Sequence, residues 1–296
     1  MDPHLIPAAR TQGGAFTAQQ AREIVRWDRL QSWLEAGLIV QESLKVFRLA
    51  DAGMDTPSRL ARAELVIGRP LIACHHSSAE LHGFAVLPDT SLHVTTTDAR
   101  SIRAPAGLSV HQLKIRSPAV AALGCLTVNP ADTAIDLAAA AAPIDILAVL
   151  DAALRAGAGS RELLEAVARA TRLRGIIEVR RQLPRANALA ESPMESRSRF
   201  RIHEAGLPEP ELQVVVPIRG GGYRKLDMGW RAARVGLEFD GQDFHAGDGS
   251  LDRDRRRAAE LIEAGWTVVH VTAGDVFRNP ERFTAVLRDL LRRRGC

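Results

Sequence analysis

Cysteine, lysine and tyrosine are scarce in this 296-residue chain, which holds three, three and one of them. Cys74, Cys125 and Cys296 have no paired spacing, which excludes a disulfide framework or a thiolate metal site and argues against redox chemistry. No apolar run reaches the roughly eighteen residues of a membrane span; the nearest, an alanine-rich stretch at 138–146, is interrupted by Pro143. Asp2 and His4 stand where a secretory signal would carry a basic and then an apolar region, so a cytoplasmic protein is expected.

What is present is apolar and arginine-rich. At 46% hydrophobic and 25% charged residues, the chain can bury sizeable cores and is not disordered as a whole. Its length implies two domains, or three if they are small. The net charge is only +4, but residues 169–201 hold nine arginines against Glu178, Glu191 and Glu195, a local excess that leaves the rest slightly acidic. Lys45, Lys114 and Lys225 are the only lysines; arginine is the better fork for phosphate, so this strip suits a polyanion, although a GC-rich genome would also favour arginine.

Residues 5–11 read as a helix stopped by Gly13 and Gly14. Thr17 caps a second helix with Ala18, Ala21, Ile24 and Val25 at helical spacing, and a third begins near Asp28, with Leu30, Trp33 and Leu34 inward and Gly37 as its stop. Extended runs over 38–41 and 45–49 follow, joined by a polar turn. Three helices and a ribbon are the winged helix-turn-helix plan, with Arg26, Arg29, Gln31 and Ser32 placed to meet DNA and Lys45 and Arg48 on the wing. A helical protein-interaction module with solvated charges is the other reading.

Residues 57–165 read as a mixed α/β middle domain: a helix near 77–82, strands near 91–96 and 109–113, and amphipathic alanine-rich helices near 131–142 and 144–156. His75, His76 and His82 cluster in sequence, but only Glu80 stands nearby as a carboxylate, and histidines at a helix start are ordinary. A basic linker or helix over 166–191 leads to the last unit.

The stretches 14–49, HSSAELHG (76–83), the strand around His93, and VNPADTAID (128–136) together resemble the abortive-infection antitoxin family. That resemblance implies a winged helix followed by an α/β domain, DNA binding with autoregulation, and a toxin partner encoded by a neighbouring nucleotidyltransferase-like gene.

Residues 192–296 give the order αβββαβα: a helix over 193–205, strands over 212–218, 223–230 and 234–240, a helix over 251–264, a strand over 266–271 and a helix over 280–294. This is the core order of the restriction-endonuclease-like fold. Strict alternation puts Leu226, Met228 and Trp230 on one face with Lys225 and Asp227 on the other, and sets Val235, Leu237 and Phe239 against Glu238 and Asp240. A tight turn near Ala232 brings Asp227 within about one position of lying opposite Glu238, so that both could hold Mg²⁺ or Mn²⁺.

SPMES (192–196), LDMGW (226–230), GLEFDG (236–241) with His245, DRDR (252–255) and AGW (264–266) are similar to a bacterial family related to the very-short-patch mismatch-repair endonuclease, within the PD-(D/E)XK nucleases. The resemblance implies that Glu195, Asp227 and Glu238 are metal-site acids and that His245 is a general acid/base or phosphate contact. Asp240 stands where the wider pattern has lysine, and Lys225, two residues before Asp227, could supply a relocated cation. Other roles fit the same residues: Ser192, Pro193 and Glu195 match a capping box, and Arg253, Arg256 and Arg257 form one helix stripe that either grips phosphate or pairs with Asp254 and Glu260.

The sequence therefore points to a multi-domain α/β protein with a winged helix-turn-helix over 1–52, the middle domain over 57–165 and a restriction-endonuclease-like unit over 192–296. The expected function is binding of double-stranded DNA coupled to metal-dependent cleavage; the alternative is a non-catalytic regulator or antitoxin of a type IV toxin-antitoxin system.

Overall fold

The computed structural model describes residues 4–96, 104–113, 115–241 and 250–296, without the side chains of 250–254. The chain divides into two units, residues 1–137 with 168–170, and residues 138–167 with 171–296, a division that does not follow the segments expected from sequence.

The first unit opens with α1 (Leu5–Arg10), β1 (Ala15–Thr17), α2 (Ala18–Ile24), α3 (Trp27–Glu35), β2 (Ile39–Ser43) and β3 (Val46–Leu49). Thr17 and Gln20 form a reciprocal capping box, each side chain taking the other's backbone N–H, which fixes the start of α2. Leu30 and Trp33 turn α3 inward onto Leu5, Phe16, Ile39 and Phe47. Strand β1 was not foreseen; it pairs antiparallel with β3, so the ribbon becomes a three-stranded sheet in the order β1-β3-β2. Three residues between two glycines and a helix are too few to carry a period-two signal.

Next come α4 (Thr56–Ile67), β4 (Ile72–Ala73), α5 (His75–Leu81), β5 (Leu92–Thr95), β6 (Leu108–Val110), β7 (Val120–Ala122), β8 (Cys125–Thr127) and α6 (Pro130–Ala140). The five strands form a mixed sheet in the order β6-β5-β4-β8-β7. The motifs that carried the antitoxin resemblance act here as internal fasteners. Ser77 Oγ accepts the His93 N–H at 2.8 Å, and the Ser78 and Thr127 hydroxyls meet at 2.7 Å. The Asn129 side chain caps α6 by accepting the Asp132 N–H, and Arg116 reaches Asp136 at 2.7 Å.

The second unit contains α7 (Pro143–Arg155), α8 (Ser160–Arg169, whose last residues belong to the first unit), α9 (Ile176–Gln182), α10 (Pro193–Glu204), β9 (Glu211–Pro217), β10 (Tyr223–Trp230), β11 (Val235–Phe239), α11 (Ser250–Glu263), β12 (Thr267–Val271), α12 (Ala273–Arg278) and α13 (Pro280–Arg293). The order expected over 192–296 is present, with the short α12 added. Its sheet runs β12-β11-β10-β9, antiparallel except for the β11–β12 pair. Helices α10, α12 and α13 cover one face through Ile202, Val276, Phe283 and Leu287, packed on Met228, Trp230 and Leu237. Leu261 of α11 packs with Val214, Val216, Leu226 and Trp266 in a separate cluster.

That separation corrects the expected alternation, because Leu226 does not share a core with Met228 and Trp230. Gln213, paired across from Asp227 between Val214↔Leu226 and Leu212↔Met228, has φ +52. A left-handed residue breaks the period of two, so the strands change face there.

Candidate nucleic-acid interface and acidic cleft

On the outer side of α3, Arg29, Gln31 and Ser32 are exposed, and Arg26 at its N-cap is exposed with a loose contact to Asp28 at 3.4 Å. Lys45 is exposed at the ribbon turn beside Leu44, which is 91% exposed. Arg48 does not join them. Its guanidinium closes on Glu42 at 2.6 Å and donates to the Leu49 carbonyl at 3.2 Å, holding β2 to β3. Half-exposed Trp27, with the Arg22 guanidinium 5.7 Å above its ring, is a surface residue the sequence reading passed over; its place on the apolar stripe of α3 disguised it.

The basic strip expected over 169–201 is largely engaged internally. Arg169 pairs with Asp132, Arg181 with Glu178, Arg197 with Asp145, Arg199 with Asp151 and Arg201 with Glu204. Five of the nine arginines thus meet carboxylates, and the run is not a continuous phosphate-facing surface.

In the C-terminal sheet the last β10–β11 pair is Met228↔Leu237, one residue short of Asp227 and Glu238. The β10–β11 ladder stops at that point, and Asp227 Oδ2 itself accepts the Phe239 N–H at 2.8 Å, filling the gap between the strands. Burial pushes the Asp227 carboxyl above its ordinary range; the Phe239 N–H opposes this, the Glu238 charge reinforces it, and Arg257 opposes it. Arg257 of α11 donates to Glu238 and to the Lys225 carbonyl.

Glu195 arrives from α10, the helix layer opposite α11. Ser192 Oγ caps its N–H, so the capping reading holds for the backbone, but its carboxylate accepts from the Glu191 N–H and from Gln213 Nε2, both at 3.0 Å, and not from Ser192 N. Burial raises its carboxyl as well; the Glu191 N–H opposes the rise and the Asp227 charge adds to it. Lys225 turns away to Glu191 at 2.7 Å, and Asp240 meets His270 Nδ1 at 3.1 Å.

The expected acids are therefore neighbours, but not in the expected arrangement. Glu238 and Asp240 look toward α11, Glu195 comes from the other layer, and Asp227 sits between the strands. Among the described residues these carboxylates do not converge as ligands of one ion, and the Arg257 guanidinium holds the place a cation beside Glu238 would take.

Alongside, a cavity of about 900 Å³ is lined by Glu238, Asp240, Arg255, Arg257, Trp266 and His270 among others. Glu260, which one of the two readings of the arginine stripe paired within its own helix, bonds to Arg224 of β10 at 2.6 Å. Arg256 is exposed on α11. His245 lies outside the described residues, as does the Arg253 side chain.

The sequence reading also missed a histidine cluster in the first unit. His75 and His76 meet His93 and His111, with Cys74 and Asp89 beside them, whereas His82 points elsewhere, its Nε2 2.9 Å from the Val128 carbonyl. The positions of His93 and His111 in sequence gave no sign of this, because their meeting depends on the parallel β5–β6 pairing, which brings His111, just past β6, beside β5.

Comparison with known proteins fits the middle of the chain best. Residues 71–185 match the model of the AbiEi antitoxin C-terminal domain. The chain is also 37% identical over 232 residues to two proteins of Mycobacterium tuberculosis, the uncharacterized protein Rv2248 of strain H37Rv and the uncharacterized protein MT2308 of strain CDC 1551, a match covering 78% of this chain and 85% of each relative. No helix among the described residues is long and apolar enough to cross a membrane. The chain belongs to the family of these two mycobacterial proteins, with a segment at 71–185 similar to the AbiEi antitoxin C-terminal domain.

Proposed function

We propose that this protein is a DNA-binding regulator of the antitoxin type. Its first 52 residues act as a winged helix-turn-helix on double-stranded DNA, and its middle domain engages a cognate toxin chain. The C-terminal unit, with a restriction-endonuclease-like arrangement, serves as a non-catalytic binding part. The observation that carries the reading is α3: Leu30 and Trp33 anchor one side in the core, leaving Arg26, Arg29, Gln31 and Ser32 in solvent with Lys45 on the ribbon turn. The antitoxin-domain similarity at 71–185 supports the toxin-binding half.

The test is binding of the full chain to the duplex upstream of its own gene, followed over a salt series. Each phosphate contact steepens the fall of log K with log salt by about 0.9. Arg29→Ala and Lys45→Ala should each weaken binding and flatten that slope; unchanged binding in both would refute the DNA reading. Co-expression with an adjacent nucleotidyltransferase-like product should yield a stable complex, and two separately migrating proteins would refute the toxin partner.

A second reading, metal-dependent cleavage of DNA by Asp227, Glu238 and Glu195 with His245, is favoured by one observation: Glu195 and Asp227 are acids drawn out of water next to one another. It requires Arg257 to release Glu238. Mg²⁺- or Mn²⁺-dependent nicking that a chelator and Asp227→Ala both abolish would establish it; equal inertness of wild type and variant would end it.

A further inference from the structure

We propose that the middle domain holds a zinc-class divalent ion on His76 Nδ1, Asp89 Oδ2 and His93 Nε2. Two nearby stretches supply these atoms: the first turn of α5, and the loop before β5 together with β5 itself. Asp89 Oδ2 lies 3.6 Å from His76 Nδ1 and 3.1 Å from His93 Nε2. Ligands bound at about 2.0–2.1 Å in a tetrahedron stand roughly 3.3 Å apart, close to the two distances from Asp89, and the two imidazole nitrogens lie within 4.8 Å of each other.

His76 Nδ1 is buried and lacks a hydrogen-bond partner, and His93 Nε2 is buried with the Asp89 carboxylate beside it at 3.1 Å. That is unfavourable for a plain ion pair and natural for lone pairs aimed at a common centre.

The surroundings are those of an oriented site. The second oxygen, Asp89 Oδ1, accepts the Ser91 N–H at 2.7 Å. The second nitrogen, His93 Nδ1, shares a hydrogen bond with His111 Nε2 at 2.8 Å, and His111 in turn stacks on His75 with ring centroids 4.1 Å apart. Outer partners of this kind set ligand tautomer and direction. The three side chains are 22%, 26% and 11% exposed, so the site lies close to the surface although both ligating nitrogens are buried.

The neighbouring trio Cys74, His75 and His111 is the competing set. Stacking places the His75 and His111 rings in nearly parallel planes, 23° apart, which sets their in-plane lone pairs side by side and not toward one point.

The test is calorimetric titration of Zn²⁺ alone into the chelator-treated full chain, with Co²⁺ as a spectroscopic substitute. One equivalent should bind, and Co²⁺ should give tetrahedral d–d bands without a thiolate charge-transfer band. Asp89→Asn and His93→Gln should remove stoichiometric binding, His111→Gln should weaken it by about 10–100-fold, and His82→Gln should leave it unchanged. Far-UV circular dichroism of each metal-free variant separates ligand loss from misfolding, and the wild-type Co²⁺ spectrum tests the ligand set without any substitution. Absence of stoichiometric binding, a thiolate band, or binding lost with Cys74→Ser but kept with Asp89→Asn would overturn the proposal.

Discussion

Replacing Asp151 by alanine should be severely destabilising, because it breaks a fully buried ion pair. Asp151 and Arg199 are at most 1% exposed and meet at 2.6 Å, tying α7 to α10. The carboxylate also accepts from Ser196 Oγ and the Asn187 N–H, each at 2.7 Å. Burial pushes its carboxyl upward against the pull of Arg199 and these donors. Arg199 Nε is already unpaired, and its other acid, Glu209, is 3.8 Å away. Removing Asp151 therefore strands a buried guanidinium, a loss of about 3–5 kcal/mol. In a unit of this size each kcal/mol moves the melting midpoint by about 2–4 °C, so a fall of roughly 6–20 °C is expected in the C-terminal unit alone. Urea unfolding followed by hydrogen exchange, resolved to residues 138–167 and 171–296, assigns the change. The paired replacement Asp151→Leu with Arg199→Met should recover most of it, because the penalty lies in the unpaired charge. A single variant within about 1 kcal/mol of wild type, or a double variant as weak as the sum of both singles, would refute this reasoning.

The N-terminal unit should lose stability in acid. Burial, then His111, His93, His76 and Arg116, hold the His75 imidazole down at about 3 in the folded chain, against about 6.5 unfolded. Between those values the unfolded state binds the extra proton, so stability falls with falling pH by about 1.4 kcal/mol per pH unit for His75 alone, and His76 and His111 act in the same direction. Urea midpoints measured from about pH 7 down to about pH 5 should decline, and a flat profile would contradict the buried neutral cluster. Arg257→Ala should raise the Asp227 carboxyl further, since the guanidinium is the charge that lowers it; carbon-detected NMR titration reads the direction. Gly175 sits at φ +85 where an added Cβ would lie 2.0 Å from the Ala139 carbonyl oxygen, so Gly175→Ala should cost at least about 2 kcal/mol in thermal unfolding.

Local rules were readable because their physics is local. The Thr17 capping box, the Ser192 cap on α10 and the stripe of Leu30 and Trp33 each act within a turn or two of helix, and residue spacing reports them directly. The patterning located β10 and β11, and the tight turn expected between them put Asp227 within about one position of Glu238, so the neighbourhood of the acids was legible. Their geometry was not. The left-handed Gln213 turns over the face of β9 and β10, and no residue of β10 encodes that.

The sequence by itself determined the long helices and strands of 192–296 and their order, and which charged residues stay in solvent on α3, since hydrogen-bonded caps and periodic burial need only near neighbours. Tertiary structure alone decided that Arg257 neutralises Glu238, that Arg48 and half the arginine strip are spent on internal pairs, and that His76, Asp89 and His93 face one another. Those outcomes depend on which distant segments are brought within a few ångströms, and a charge or lone pair carries no mark in sequence of the partner that packing will put beside it.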